Sequence, residues 1–148
     1  MKYLSTAVDF IDIPGEVCLA FNLTHCSNSC VNCHFPEMRK DIGIEVTAVE
    51  IRRLIGLFPK CTCILFLGGD RNHGEILSFC EVIRKEFPSL KLAVFSRLRE
   101  IDISLLPFLN YYKIGYCENE LGPTKKDERN QRLFKIENGW LFDITPSL

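Results

Sequence analysis

The chain has 148 residues, a formal net charge of −1 and 47% hydrophobic residues. This length and composition suit a single core, so we expect one domain over residues 1–148. The basic residues are scattered rather than gathered into a run, which excludes an obvious phosphate-binding surface and argues against a nucleic-acid partner.

The N-terminal segment MKYLSTAVDF has neither the apolar region nor the cleavage site of an export signal. No apolar run approaches the roughly 18 residues that a membrane-spanning helix requires. We therefore expect a cytoplasmic protein that does not enter a membrane. Because the cytoplasm is reducing, the eight cysteines predict metal or redox chemistry rather than a disulfide framework.

The first predicted elements are a strand and a helix. Residues 16–23 (EVCLAFNL) are nearly all apolar, which is typical of a strand buried on both faces in a parallel sheet. Residues 47–58 predict an amphipathic helix, because Thr47 and Glu50 have the form of a capping box and apolar residues follow at helical spacing before Pro59.

The same alternation continues along the chain. The pattern predicts a strand at 61–67, a helix at 76–87, a strand at 90–95, a short helical stretch at 104–109 and a strand at 111–115. Alternating strands and helices imply an α/β fold with a parallel sheet and right-handed crossovers. A complete eight-stranded barrel needs about 250 residues, so this chain can form only a partial, open (β/α) barrel.

The C-terminal region predicts a β-hairpin. Apolar residues alternate strictly from Phe134 to Ile136 and from Trp140 to Ile144, on either side of Asn138-Gly139. Asn-Gly is the strongest short signal for a type I′ hairpin turn. We expect this hairpin to close or cover one edge of the sheet.

Three cysteines follow the first predicted strand. Cys26, Cys30 and Cys33 have the spacing C-x3-C-x2-C, and thiolates this close on a tight loop can converge on one inorganic core. Structural zinc takes four ligands, and His25 or His34 could complete a Cys3His set. The usual zinc pattern pairs two separated knuckles, however, and no second knuckle is present.

An iron-sulfur cluster is the interpretation that we favour over zinc. An electron-transfer 4Fe-4S centre needs four cysteines. The remaining five cysteines occupy strand or helix positions typical of core packing: Cys18, Cys61, Cys63, Cys80 and Cys117. Three thiolates on four irons leave one iron open. That iron would lie at the carboxyl end of a parallel strand, where ligands of such folds bind.

These motifs resemble those of the radical S-adenosylmethionine (SAM) superfamily. Its signature is C-x3-C-x2-C after a first strand, and Cys26, Cys30 and Cys33 match that spacing. The segment Gly68-Gly69-Asp70, at the end of the second predicted strand, is similar to the superfamily's GGE-like motif, which holds the amino group of SAM.

Within that superfamily the chain resembles the activating proteins of anaerobic (class III) ribonucleoside-triphosphate reductases. The likeness covers most of the chain and rests on its small size, on Asp41-Ile42-Gly43 and on Asn130-Gln131-Arg132. Ser96 falls where these activases have a Ser-Gly or Thr-Gly that approaches the cofactor. The chain departs from the family by having Arg97 in place of that glycine and Asn32 inside the cysteine loop.

The resemblance implies a radical SAM type of partial barrel with a 4Fe-4S cluster bound by the three cysteines. It implies cofactor contacts for SAM from Gly68, Gly69, Asp70, Ser96 and Asn130, and no catalytic residue beyond the cluster and cofactor ligands. An electron donor such as flavodoxin or ferredoxin would reduce the cluster, and reductive cleavage of SAM would release methionine and a 5'-deoxyadenosyl radical. That radical would take a hydrogen atom from a glycine Cα of a glycyl-radical enzyme, the anaerobic ribonucleoside-triphosphate reductase.

Two other interpretations remain open from the sequence. One is another small radical SAM enzyme that acts on a metabolite or on a different glycyl-radical enzyme. The other is a non-enzymatic protein in which the three cysteines and a histidine bind zinc.

Overall fold

The computed structural model describes residues 1–24, 40–69, 72–98, 100–115 and 131–145. These residues form an eight-stranded open sheet and two helices, which confirms a mixed α/β fold. The strands are β1 Lys2–Asp9, β2 Cys18–Leu23, β3 Ile44–Glu45, β4 Cys63–Leu67, β5 Lys91–Phe95, β6 Tyr111–Ile114, β7 Arg132–Glu137 and β8 Trp140–Asp143, and the helices are α1 Ala48–Leu57 and α2 His73–Glu86.

The sheet has the order β3-β1-β2-β4-β5-β6-β7-β8. Its centre is the predicted parallel set, β2, β4, β5 and β6, in chain order. Antiparallel strands extend this set on both sides. Sequence patterning missed β1 and β3, because β1 is only partly buried and β3 has two exposed residues.

Both helices pack as their sequences predict; α1 also begins as predicted, whereas α2 begins at His73, three residues before the predicted start. Thr47 caps α1 by accepting a 3.1 Å hydrogen bond from the Glu50 backbone N–H. The apolar sides of α1 and α2 are buried in one core cluster, through Ile51 and Leu54 and through Ile76, Cys80 and Ile83. In the described part of the chain, neither helix is long and apolar enough to cross a membrane.

In the described part of the chain, both helices lie on one side of the sheet. A second core cluster lies on the other side of the sheet and contains residues of the parallel strands: Cys18, Ala20, Cys63, Leu65 and Ala93. The alternate residues of these strands, such as Leu19 and Ile64, belong to the core cluster that contains the helices. We call these two sides the open face and the helix face. Ile13, from the connection between β1 and β2, is fully buried in the open-face cluster.

The predicted helical stretch at 104–109 is wrong. The chain there makes successive turns, in which Leu105 N–H bonds to the Asp102 carbonyl and Phe108 N–H bonds to the Leu105 carbonyl. Pro107 has no N–H group and so cannot donate a hydrogen bond within an α-helix. The Asp102 carboxylate also accepts a hydrogen bond from the Ser104 hydroxyl, which is a local turn contact. The apolar spacing of Leu105 and Leu109 therefore buries both side chains without an α-helix.

The predicted hairpin is confirmed by its strands and its turn. Asn138 and Gly139 have φ values of +52° and +80°, and a type I′ turn requires positive φ at both central residues. The hairpin extends the sheet because β7 pairs antiparallel with β6, and β8 forms the edge.

Candidate functional site

The parallel strands bring the predicted site residues to one edge of the sheet. The pairings Asn22 with Leu67 and Leu67 with Phe95 align the ends of β2, β4 and β5. The residues that follow these ends form what we call the carboxyl edge: Thr24, Gly68, Gly69 and Ser96. Ligands of parallel α/β folds bind at this edge.

Gly68 and Gly69 fill two positions that favour glycine for different reasons. Gly68 has φ of +87°, which side chains rarely adopt, and its N–H bonds to the Phe95 carbonyl at 3.3 Å. A Cβ added to Gly69 would lie 2.5 Å from Cδ1 of Ile76 and 2.7 Å from Cδ1 of Leu23. The glycine backbone therefore passes between the end of β2 and the first turns of α2.

Ser96 is next to Gly68 at this edge, since Leu67 and Phe95 pair and each is followed by one of these residues. Ser96 is 5% exposed, and its N–H bonds to the Lys113 carbonyl at 2.7 Å. Its hydroxyl oxygen accepts a 3.0 Å hydrogen bond from the Leu98 N–H. The structure thus brings together three of the predicted cofactor residues, Gly68, Gly69 and Ser96.

Thr24 is a carboxyl-edge residue that sequence patterning did not single out. Its side chain is fully buried, its N–H bonds to the Lys2 carbonyl at 3.0 Å, and its hydroxyl donates a 2.6 Å hydrogen bond to the Ile42 carbonyl. The cysteine triplet lies between Thr24 and Ile42 in the sequence. One hydrogen bond therefore joins a residue that precedes the cysteine triplet to a residue that follows it.

Several predicted residues lie outside the described part of the chain. They are Cys26, Cys30, Cys33, Asp70 and Asn130, together with His25, His34 and Cys117. Within the described ranges, no three histidine, cysteine or acidic side chains come together as a metal site. The prediction that the three cysteines bind a cluster stays a prediction.

The cysteines that the structure describes are free thiols used in packing. Cys18, Cys63 and Cys80 are buried, and Cys61 is partly buried. Residues two apart in one strand share a face, and the predicted strand at 61–67 implies this for Cys61 and Cys63. That expectation is wrong, because Cys61 packs against the helix-face core, whereas Cys63 belongs to the open-face core. The reason is that β4 begins only at Cys63, so strand alternation does not extend back to Cys61.

Charged side chains lie near both edges of the sheet: Lys113 pairs with Phe95 at the carboxyl end of β5, and Asp9 pairs with Cys18 at the amino end of β2. Lys113 Nζ is 4.9 Å from the centroid of the Phe95 ring. A hydrogen bond with Asp9, burial and the charge of Asp9 raise the pKa of Asp12 to about 6, while Lys113 acts in the opposite direction. The hydrogen bond with Asp12 and those from the Ile11 and Asp12 N–H groups lower the pKa of Asp9. Below about pH 6, the proton of this pair is therefore held by Asp12 rather than by Asp9.

The opposite, amino edge holds a buried carboxylate. Glu16 is 5% exposed and accepts hydrogen bonds from Thr62 (2.7 Å), Lys91 (2.6 Å) and Tyr111 (2.7 Å). Burial alone raises the pKa of Glu16, but the three hydrogen bonds outweigh burial and place the pKa below its ordinary value. This network joins the amino ends of the parallel strands, which identifies it as structural support on the side away from the candidate site.

Comparison of this chain with protein-family models, with curated proteins and with solved structures found no match.

Proposed function

We propose that this protein is a radical SAM activating enzyme, an oxidoreductase that cleaves S-adenosylmethionine reductively at a 4Fe-4S cluster and installs a glycyl radical on an anaerobic ribonucleoside-triphosphate reductase. One observation carries the proposal. The segment with the C-x3-C-x2-C spacing departs from the carboxyl end of β2, and the Gly68-Gly69 backbone passes directly beside that end. Leu23, at the end of β2 from which the cysteine segment continues in the sequence, is therefore adjacent to a glycine motif that is distant in sequence.

The donor set suits an iron-sulfur cluster. Cys26, Cys30 and Cys33 supply three thiolates, and thiolates are the ligands such clusters require. These three cysteines would hold a 4Fe-4S cluster, which would supply the electron that breaks the sulfonium bond of SAM. The hydrogen bond from Thr24 to Ile42 keeps both sides of the ligand segment at the carboxyl edge.

The carboxyl edge also offers a place for the cofactor's amino acid moiety. Gly68 and Gly69 have no side chains, so a ligand can approach their backbone closely. Asp70 follows them and supplies a carboxylate that would bind the cofactor's ammonium group. Ser96 lies beside Gly68, and Asn130 precedes β7, whose first residue pairs with the last residue of β6. These residues bind and orient the cofactor.

The winding of the sheet supports a partial, open barrel of the radical SAM type. Parallel strands in chain order with both helices on one face are the winding of a (β/α) barrel. The open face would be the barrel interior, and Cys18, Ala20 and Ala93 supply small side chains there. The hairpin of β7 and β8 takes the place of further strand-helix units.

An open sheet suits a protein substrate. The reaction consumes one electron from a donor such as flavodoxin or ferredoxin, and SAM yields methionine. The 5'-deoxyadenosyl group takes a hydrogen atom from a glycine Cα of the partner and leaves as 5'-deoxyadenosine, so that the unpaired electron stays on the glycine. A backbone glycine can reach the cofactor only through a lateral opening, which a closed barrel lacks.

The test is anaerobic and uses the full chain. The protein is reconstituted with iron and sulfide, reduced and mixed with SAM, and 5'-deoxyadenosine is quantified for wild type, Cys30→Ala and Cys61→Ala. We expect product from wild type and Cys61→Ala only, because Cys61 packs against the helix-face core. A colourless protein that binds zinc and yields no product would overturn the proposal. A glycyl-radical signal on added purified reductase tests the partner, and product without that signal would favour another substrate.

A further inference from the structure

The edge strand β8 presents large apolar side chains to solvent. Trp140, Leu141 and Phe142 are 72%, 38% and 50% exposed. Among the described residues no strand pairs with the outer side of β8. Edge strands are usually protected by short length, charged side chains, proline or a bulge. The strand β8 (WLFD) is short and ends in one charged residue, Asp143, but contains no lysine, proline or bulge. This edge therefore has the character of a strand that another strand covers.

The hydrogen-bonding direction along β8 is fixed by its pairing with β7. The Ile144 N–H bonds to the Leu133 carbonyl at 2.9 Å, and Phe142 is paired with Lys135. Because main-chain groups alternate in direction along a strand, those of Trp140 and Phe142 face β7. The N–H and C=O groups of Leu141 and Asp143 point outward, where a further strand would bind them.

The sequence of β8 is complementary to itself. In an antiparallel pair with a two-fold axis at Leu141, the two Leu141 residues exchange both main-chain hydrogen bonds. Trp140 then lies directly opposite Phe142 of the second copy. By symmetry, Phe142 of the first copy lies opposite Trp140 of the second. Directly opposite aromatic side chains are favourable cross-strand partners. A register with the two-fold axis at Phe142 would also pair the outward main-chain groups of Leu141 and Asp143. It would, however, place the Asp143 carboxylate opposite the apolar side chain of Leu141.

We propose that β8 pairs with β8 of a second copy of this chain, so that two sheets join across a two-fold axis at Leu141. Trp140 follows the turn at Asn138-Gly139, which lies at the amino edge because β7 runs antiparallel to β6. The axis is therefore remote from the carboxyl edge, and both carboxyl edges stay accessible in the dimer. This inference does not rest on the proposed function.

Trp140 makes the interface measurable because it is the only tryptophan of the chain. We expect wild type to sediment as a dimer, with tryptophan emission that shifts to shorter wavelength as protein concentration rises. Leu141→Pro removes the outward N–H while leaving the hairpin's own bonds to β7, so it should raise the dimer dissociation constant at least tenfold. Leu141→Ala keeps that N–H and is the matched control, and circular dichroism checks that both variants fold.

A second pair of variants tests the register even where Leu141→Pro fails to fold. Trp140→Lys and Phe142→Glu should each weaken self-association, and their mixture should form heterodimers, because lysine at 140 then faces glutamate at 142. A wild-type protein that is monomeric at all concentrations overturns the proposal. A dimer with unchanged tryptophan emission, a dimer that a folded Leu141→Pro retains, or a mixture without heterodimers also overturns it.

Discussion

The Thr24 hydroxyl donates a 2.6 Å hydrogen bond to the backbone carbonyl of Ile42. Thr24 continues from β2, and Ile42 is followed by Gly43, whose added Cβ would overlap the backbone carbonyl of Tyr3. Both sides of the segment that carries the cysteine triplet are therefore fixed to the β1 and β2 framework.

Thr24→Val should lower the free energy of unfolding by about 1–3 kcal/mol, because it leaves the Ile42 carbonyl without its buried donor at nearly constant volume. Urea unfolding of the apoprotein measures the change. Thr24→Ser retains the hydroxyl and should lose less than Thr24→Val. A larger loss in Thr24→Ser than in Thr24→Val would mean that the methyl group, rather than the hydrogen bond, matters at this position.

Gly69→Ala should lower the free energy of unfolding by about 1–3 kcal/mol, because the new Cβ overpacks against Ile76 and Leu23. Gly74→Ala is the matched control. An added Cβ at Gly74 meets no atom within 4 Å, and alanine in α2 should be stabilising by up to about 1 kcal/mol. Combining Gly69→Ala with Ile76→Val, which removes the overlapping Cδ1, should cost less than the sum of the single changes. A strictly additive double variant would contradict this packing argument.

Glu16→Gln should destabilise the protein most at neutral pH. The pKa of Glu16 lies below its ordinary value because hydrogen bonds from Lys91, Thr62 and Tyr111 outweigh the effect of burial. The ionised form thus contributes stability that is present above the ordinary pKa and is lost as pH falls through the lower, folded-state pKa. Urea unfolding of wild type and Glu16→Gln from pH 7 to pH 3 should show their difference shrinking as the pH falls. A stability difference between wild type and Glu16→Gln that grows as the pH falls would contradict the lowered pKa of Glu16.

The stability of the Asp12→Asn variant, relative to wild type, should increase as pH rises. A hydrogen bond with Asp9, burial and the Asp9 charge raise the pKa of Asp12 to about 6, so its protonated form favours folding below the ordinary pKa and this contribution is lost as pH rises through about 6. Asparagine keeps a donor for Asp9 without ionising. Thermal unfolding should therefore show Asp12→Asn gaining on wild type between pH 5 and pH 8, whereas a constant difference across that range would contradict the raised pKa of Asp12.

The sequence by itself determined the features that depend on near neighbours. The capping box of Thr47 and Glu50 set the start of α1, and Asn138-Gly139 set the hairpin, because each depends on the dihedral angles and hydrogen bonds of a few adjacent residues. The C-x3-C-x2-C spacing is local in the same way, so it could predict a ligand set. Pro107 was a local signal too, and it explains why 104–109 forms turns.

Only the tertiary structure decided which distant residues meet. Glu16 is 46, 75 and 95 positions from its three hydrogen-bond partners, and no periodicity encodes such separations. The strand β1 was missed for the same reason, since it is partly exposed and is stabilised by pairing with β2. Gly69 reaches Leu23 and Ile76 because the register of parallel strands brings the ends of β2 and β4 together. Register depends on the packing of whole strands and helices, and this packing places Gly69 beside the end of β2, from which the cysteine segment continues in the sequence.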